Sequence, residues 1–274
     1  MQPLVSIIIP VFNTGKTALK LAQSLIKDTY KNLEIILIDD GSEDDSLNVL
    51  KTLTDKRIHL YHQDNSGPSS ARNLGIEKSS GKYLLFIDSD DTVSPDFISE
   101  MVKTIELSNT ATAVTGFKYH HVKTNMTEIV HTNELAPQKA NESFKSYIMR
   151  LLYSDGRMYA AFNKIFIAKV IKDHHIKFDA KMSYGEDTKF VLDYLSHADG
   201  IIRFILKPLY TYNSGTETSI ASKGSAKWSN WKACYNNLKK WVGKHPSTQE
   251  KIRLYRIYWH WHKSCLGAKL RLHI

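Results

Sequence analysis

The stretch LLFIDSDDTV, residues 84–93, is an apolar run that ends in three carboxylates, Asp88, Asp90 and Asp91. The apolar part has the composition of a short strand buried on both faces. Three like charges within four positions repel, so the cluster needs a positive partner. A divalent cation is the natural choice, and the question is what that cation would hold.

Reading outward, the same pattern recurs. VSIIIPVF (5–12), LEIILID (33–39), IHLYH (58–62) and TAVTGF (112–117) read as further strands. Between them, TALKLAQSLIKD, DDSLNVLKTL, PSSARNLGIEKS and SPDFISEMVKTIEL carry helical spacing, the last two entered through Ser and Pro. Strand and helix alternate, which predicts an α/β layer fold around a mixed, mostly parallel sheet. Beyond residue 118 the order loosens. KYHHVKTNMTEIVHT reads as a hairpin, and NESFKSYIMRLLY, NKIFIAKVIKDH and EDTKFVLDYLS as helices. IIRFIL reads as a strand, and from residue 225 the pattern is helical with a break near GKHPS.

The chain has 274 residues, 42% of them hydrophobic, enough for one large domain with a real core. No apolar run reaches the roughly 18 residues of a membrane span, and the start MQPLVSIIIPVFN lacks the basic region of a signal peptide. Cys234 and Cys265 lie far apart without metal-ligand spacing and read as reduced thiols of a cytosolic protein. The net charge of +9 is uneven: residues 223–274 hold twelve Lys/Arg, a single acid and all five tryptophans, leaving the body at −2. A near-neutral body with a basic, aromatic tail does not fit a nucleic-acid binder.

Ligands of open α/β sheets bind at the carboxyl ends of the strands. There the polar residues gather: Pro10-Val11-Phe12-Asn13, Asp39-Asp40-Gly41-Ser42, QDNSGPSSARN and Asp88-Ser89-Asp90-Asp91. One such end is ordinary turn chemistry; four on one rim point to a site. NTGKT imitates the end of a phosphate-binding loop, but the glycine such a loop requires is Pro10, which has no N–H. No G-x-G-x-x-G follows the first strand, which argues against a dinucleotide-binding dehydrogenase. The competing reading is a haloacid-dehalogenase-like phosphatase, with Asp88 as nucleophile and Asp90 as acid/base. It leaves some eighty preceding residues of α/β motifs unexplained. A third is a sugar-nucleotide binding module without catalysis, against which both acidic motifs are intact.

Taken together, VSIIIPVFN, LEIILIDDGSEDDS, NSGPSSARNLGI, GKYLLFIDSDD and GEDTKFV, spanning about residues 4–195, resemble the inverting family 2 glycosyltransferases of GT-A fold. The resemblance implies a metal-dependent transferase moving a hexose from a UDP-sugar. The acceptor would be a hydroxyl of a glycan, a lipid-linked glycan or a teichoic-type polymer. It places Pro10, Phe12, Asp40, Gly67, Arg72, Asp88 and Ser89 at the nucleotide sugar, with Asp40 accepting from the base. It places Asp90 on Mn²⁺ or Mg²⁺, Glu186 on the sugar, and Asp187 as general base. Lys164 is expected either on the diphosphate or on a helix surface. Asn213 stands where related enzymes carry a basic residue. The expected domains are 1–222, divided near 118 into nucleotide and acceptor halves, and a helical tail of residues 223–274. That tail rests on the anionic inner face of the cell membrane, packs against the body or a second subunit, or meets an acidic acceptor polymer.

Overall fold

In a computed structural model the protein is described over residues 2–130, 138–154, 156–182, 185–215 and 228–271. The first half alternates as the sequence predicts: β1 (Val5–Val11), α1 (Gly15–Lys27), β2 (Leu33–Asp40), α2 (Ser46–Lys51), β3 (Ile58–Gln63), α3 (Pro68–Lys78), β4 (Tyr83–Phe86), β5 (Thr92–Val93), α4 (Phe97–Ile105) and β6 (Thr110–His121). The second half holds β7 (Met126–Val130), α5 (Phe144–Ser154), β8 (Lys164–Ile167), α6 (Ala168–Asp173), α7 (Glu186–Leu195) and β9 (Ile201–Ser214). Helices α8 (Trp228–Val242) and α9 (Thr248–Arg271) follow.

The sheet runs β3-β2-β1-β4-β8-β6-β9-β5, with β7 hydrogen-bonded to β6. Strands β3, β2, β1 and β4 are parallel, β8 is antiparallel to both its neighbours, and β6 and β9 are parallel. The chain builds outward from β1 to β2 and β3, then returns to place β4 on the other side of β1. That reversal opens a crevice at the carboxyl ends of β1 and β4, where Asn13 and the carboxylates after Phe86 emerge. Every residue of β1, β2 and β4 is buried, which explains the unbroken apolar runs. One core packs α1 and α4 on one face of the sheet, and the other packs α3, α5 and α7 on the opposite face.

Two local expectations are corrected. NKIFIAKVIKDH is not one helix. Its first part forms β8, inserted between β4 and β6, and only Ala168–Asp173 is helical. The last strand extends through Ser214, well past IIRFIL, and runs beside β6 as a ribbon with register shifts near Gly116. The tail is built onto the body. Cys234, Leu238 and Val242 of α8, with Leu254 and Ile257 of α9, belong to the same core as Phe190 and Val191 of α7. Glu250 accepts from Ser143, Arg253 pairs with buried Glu142 at 2.6 Å, and Lys145 donates to the Trp241 carbonyl at 2.8 Å. The outward side of α9 leaves Ile252, Tyr255 and Trp259 exposed. The expected body–tail boundary at residue 222 lies outside the described residues. Among those residues no helix is long and apolar enough to cross a membrane.

Candidate active site

The three carboxylates after β4 part company. Asp91 is buried, accepts from the Tyr210 hydroxyl at 2.6 Å and from the Asn213 backbone N–H at 2.7 Å, and anchors β9 to the crevice. Burial, then the charges of Asp88 and Asp90, push its carboxyl well above the ordinary range. Asp88 turns to Arg72 of α3, whose guanidinium donates to its Oδ1 at 2.8 Å. Asp90 borders a cavity of about 360 Å³ lined by Asn13, Thr14, Lys16, Asp44 and Asp45, and its carbonyl accepts from the Asn213 amide at 2.7 Å. Ser89 is hydrogen-bonded to Thr14 at 2.6 Å, which ties the end of β4 to the start of α1.

Arg72 is the hub. It is 7% exposed, its second terminal nitrogen lies 3.8 Å from Asp187 and 3.9 Å from Glu186, and its carbon sits 5.3 Å from the Phe178 ring centroid. Burial works against its charge, yet the carboxylates of Asp88, Asp187 and Glu186 outweigh it and hold the guanidinium protonated more firmly than usual. Phe178 is set beneath it by Asn73, the next residue on α3, which exchanges two 2.8 Å hydrogen bonds with the Phe178 backbone.

Glu186 and Asp187 open α7 directly after Gly185, whose φ of +82° favours glycine. Burial raises Glu186 to about 7, with Asp187 adding to the shift and Arg72 opposing it. Burial also raises Asp187, against the pull of Arg72. One Asp187 oxygen accepts from the Ala161 N–H at 3.1 Å. The other, Oδ1, is buried without a hydrogen-bond partner, as is the Arg72 nitrogen facing it. A buried carboxylate oxygen without a hydrogen bond costs on the order of 1–3 kcal/mol, part of which the Arg72 ion pair at 3.8 Å offsets.

Of the residues expected at the nucleotide, Pro10 is buried at the end of β1 and Phe12 follows it, half-buried. Asp40 holds the loop before α3. It accepts from Gln63 at 2.7 Å, Ser66 N–H at 2.9 Å and Gly67 N–H at 2.8 Å. Gly67 has φ +86° and open space where a Cβ would stand, so backbone there is accessible to a ligand. Lys164 departs from both sequence expectations. It is fully buried on β8 and its ammonium donates to the carbonyls of Arg157 and Ala160 and to Asn163. It thereby fixes the loop whose Ala161 N–H holds Asp187. Phe178, Ala161, Tyr210 and Asn73 were not singled out from sequence; Asn73 lies within NSGPSSARN and Tyr210 within LYTYN, the nearest signals available.

Among the described residues no group of three or more His, Cys, Asp or Glu side chains is arranged to hold a metal. Asp90, on the rim, is a carboxylate of the kind that holds a hard cation of the Mg²⁺/Mn²⁺ type, which binds through one or two carboxylates and completes its shell with phosphate oxygens and water.

Comparison with known proteins bears on the family and the fold. Residues 6–174 match the model of Glycosyl transferase family 2. An uncharacterized glycosyltransferase of Rickettsia felis is 41% identical over 129 residues, covering 47% of this chain and 21% of the relative; the chain thus spans about a fifth of that protein's length. S. aureus TarS 1-349 in complex with UDP-GlcNAc superposes with a TM-score of 0.69 at 20% identity, over 85% of this chain and 66% of that one. The mannosyltransferase PcManGT from Pyrobaculum calidifontis, in complex with GDP-Man and Mn²⁺, superposes with a TM-score of 0.65 at 12% identity, over 98% and 74%. The phosphatase alternative has no counterpart in these matches, and the chain belongs to glycosyl transferase family 2.

Proposed function

We propose that the protein transfers a hexosyl group from a UDP-sugar to a hydroxyl of a glycan, lipid-linked glycan or teichoic-type acceptor, with inversion at the anomeric carbon. The observation that carries the reading is the unpartnered Oδ1 of Asp187, held 3.8 Å from Arg72 beside the acidic end of β4. An acceptor hydroxyl hydrogen-bonded to that oxygen loses its proton to it as it attacks, a contribution typically worth 10²- to 10⁴-fold. The raised proton affinity of Asp187 makes it a stronger base than an exposed carboxylate. Glu186, near 7, carries a proton for part of the time at neutral pH and donates to a sugar hydroxyl. Arg72 keeps the two acids and Asp88 together and limits their repulsion.

Pro10 and Phe12 wall the base; Asp40, through Gly67, sets the backbone that approaches it, and its remaining acceptor direction serves a ring N–H. Asp88 and Ser89 face the ribose side, and Asp90 would hold Mn²⁺ or Mg²⁺ on the diphosphate. The cation, when bound, offsets the negative charge that develops on the leaving diphosphate. The UDP-GlcNAc bound by S. aureus TarS supports a uridine donor and the Mn²⁺ of PcManGT supports the cation. Exposed Ile252, Tyr255 and Trp259 beside Lys251 and Arg256 on α9 support contact with an anionic membrane surface on the cytoplasmic side.

Incubation with UDP-sugars and Mn²⁺, following UDP release, tests the reading against p-nitrophenyl phosphate turnover. UDP release with a product of inverted anomeric configuration is expected. Hydrolysis of the aryl phosphate without UDP release, or a retained configuration, overturns it.

A further inference from the structure

The ribbon formed by β6 and β9 carries aromatic side chains on one face. Tyr210 and Tyr212 lie on that face of β9, and the register places Phe117 opposite Tyr210 and Tyr119 opposite Tyr212. Phe162, from the loop before β8, stacks on Tyr210 at 4.5 Å and on Tyr212 at 5.7 Å. Tyr119 lies 5.3 Å from Tyr212 and 4.7 Å from His121. The stack begins in the crevice, where fully buried Tyr210 donates to Asp91, and it grows more exposed outward: Phe162, Tyr212, Tyr119 and His121 are all half-buried. Phe162 is also the residue after Ala161, whose N–H holds the general base. The face therefore runs from the base loop and the acidic turn toward solvent.

Cross-strand ring pairs stabilise a ribbon by about 0.2–1 kcal/mol each, which accounts for the inner pairs. It does not account for leaving the outer rings half-open on a face that starts at the loop holding Asp187, since contiguous accessible aromatic surface marks a binding site. The flat face of a pyranose presents C–H groups of slight positive charge, which suit the negative face of an aromatic ring. Lys118 and His120 alternate to the other side of β6, and β7 sets Glu128 opposite Tyr119, so among the described residues these strands put no lysine or arginine on this face. A polyol-phosphate chain would call for such cations; a neutral sugar ring does not.

We propose that Phe162, Tyr212, Tyr119 and His121 form an acceptor platform that stacks a pyranose ring of a saccharide acceptor and presents its hydroxyl to Asp187. This rests on the transferase reading above and narrows the acceptor to one that contains pyranose rings. The test uses saturation-transfer NMR on the full chain, with cellotetraose, maltotetraose and the tetramer of β-1,4-linked N-acetylglucosamine as probes, and glycerol-phosphate oligomers as the competing chemistry. At least one tetrasaccharide is expected to show saturation at its ring C–H protons. Tyr119→Thr, which keeps a strand-forming residue, should weaken that binding at least fivefold, and Tyr119→Phe should keep it within twofold. UDP affinity by calorimetry should stay unchanged in both variants, which confirms that the fold and donor side are intact. Absence of binding by all three saccharides, equal binding by Tyr119→Thr, or preference for glycerol-phosphate oligomers overturns the platform. Failure of the wild type to bind UDP would refute the donor reading instead, and the saccharide result would still decide the platform.

Discussion

Replacing Arg72 by Met removes the guanidinium that faces Asp88, Glu186 and Asp187, at 2.8, 3.9 and 3.8 Å. A charge pair at 4 Å is worth about 4 kcal/mol at an effective dielectric of 20. Recovered arginine desolvation offsets part of this, and removing one partner of a buried pair costs about 3–5 kcal/mol in practice. Each of these carboxylate side chains is less than a third exposed, so the lower end, about 3 kcal/mol, applies at pH 8. The penalty depends on pH with a definite sign. Glu186 takes up its proton near 7 in the folded state, against about 4.3 when unfolded. Its favourable contribution is therefore complete below about pH 4 and lost as pH rises through 7. Without Arg72 the folded-state proton affinities of Glu186 and Asp187 rise further, so the penalty is smaller at pH 5.5 than at pH 8. Urea unfolding in chelator-containing buffer at both pH values measures this. An m-value of about 3 kcal/mol/M makes the expected shift at pH 8 about 1 M. Equal destabilisation at the two pH values, or less than 1 kcal/mol at pH 8, would refute the charge-hub argument.

Three further substitutions separate structural from chemical roles. Gly185→Ala would place a Cβ 1.7 Å from the Cys234 sulfur at a φ of +82°, so it should cost at least about 3 kcal/mol; adding Cys234→Ala should recover the clash but leave about 1 kcal/mol of backbone strain, read from unfolding midpoints of the double-mutant cycle. Lys164→Met should lower transfer while leaving UDP affinity within about twofold, because the ammonium holds the Ala161 loop; a large loss of UDP affinity in calorimetry would return Lys164 to the diphosphate. Asp90→Asn should abolish turnover at limiting Mn²⁺ and make UDP affinity insensitive to Mn²⁺, with the melting temperature little changed; a near wild-type rate would move the cation elsewhere.

Much of this was legible in the chain. Strands such as Val5–Val11 and Leu33–Asp40 are buried on both faces, so their sequences are continuous apolar runs bounded by turns. The acids at their ends mark the crevice for the same reason: each follows directly from a strand. β8 was not legible, because a four-residue strand between two neighbours, three of its residues buried, shows neither period and runs straight into a helix. The partners that complete the site were hidden by distance along the chain. Asn73 meets Phe178 across 105 positions, and Asp91 meets Tyr210 across 119. Lys164 has the look of a surface lysine, and only the carbonyls of Arg157 and Ala160 explain its burial. The helices of the tail could be read from their spacing, but the α5 and α7 surfaces that receive them could not.

The central claim is that Asp187 takes the acceptor's proton and does not hold the donor. Asp187→Asn is nearly isosteric and keeps the oxygen that can accept from Ala161 N–H. UDP affinity in the presence of Mn²⁺ and the rate of sugar transfer, measured side by side on this variant and the wild type, give the most direct test. The account predicts an unchanged dissociation constant, within about twofold, with transfer reduced by about 10²- to 10⁴-fold. Loss of UDP binding in proportion to the loss of transfer, or transfer persisting near the wild-type rate, would contradict it.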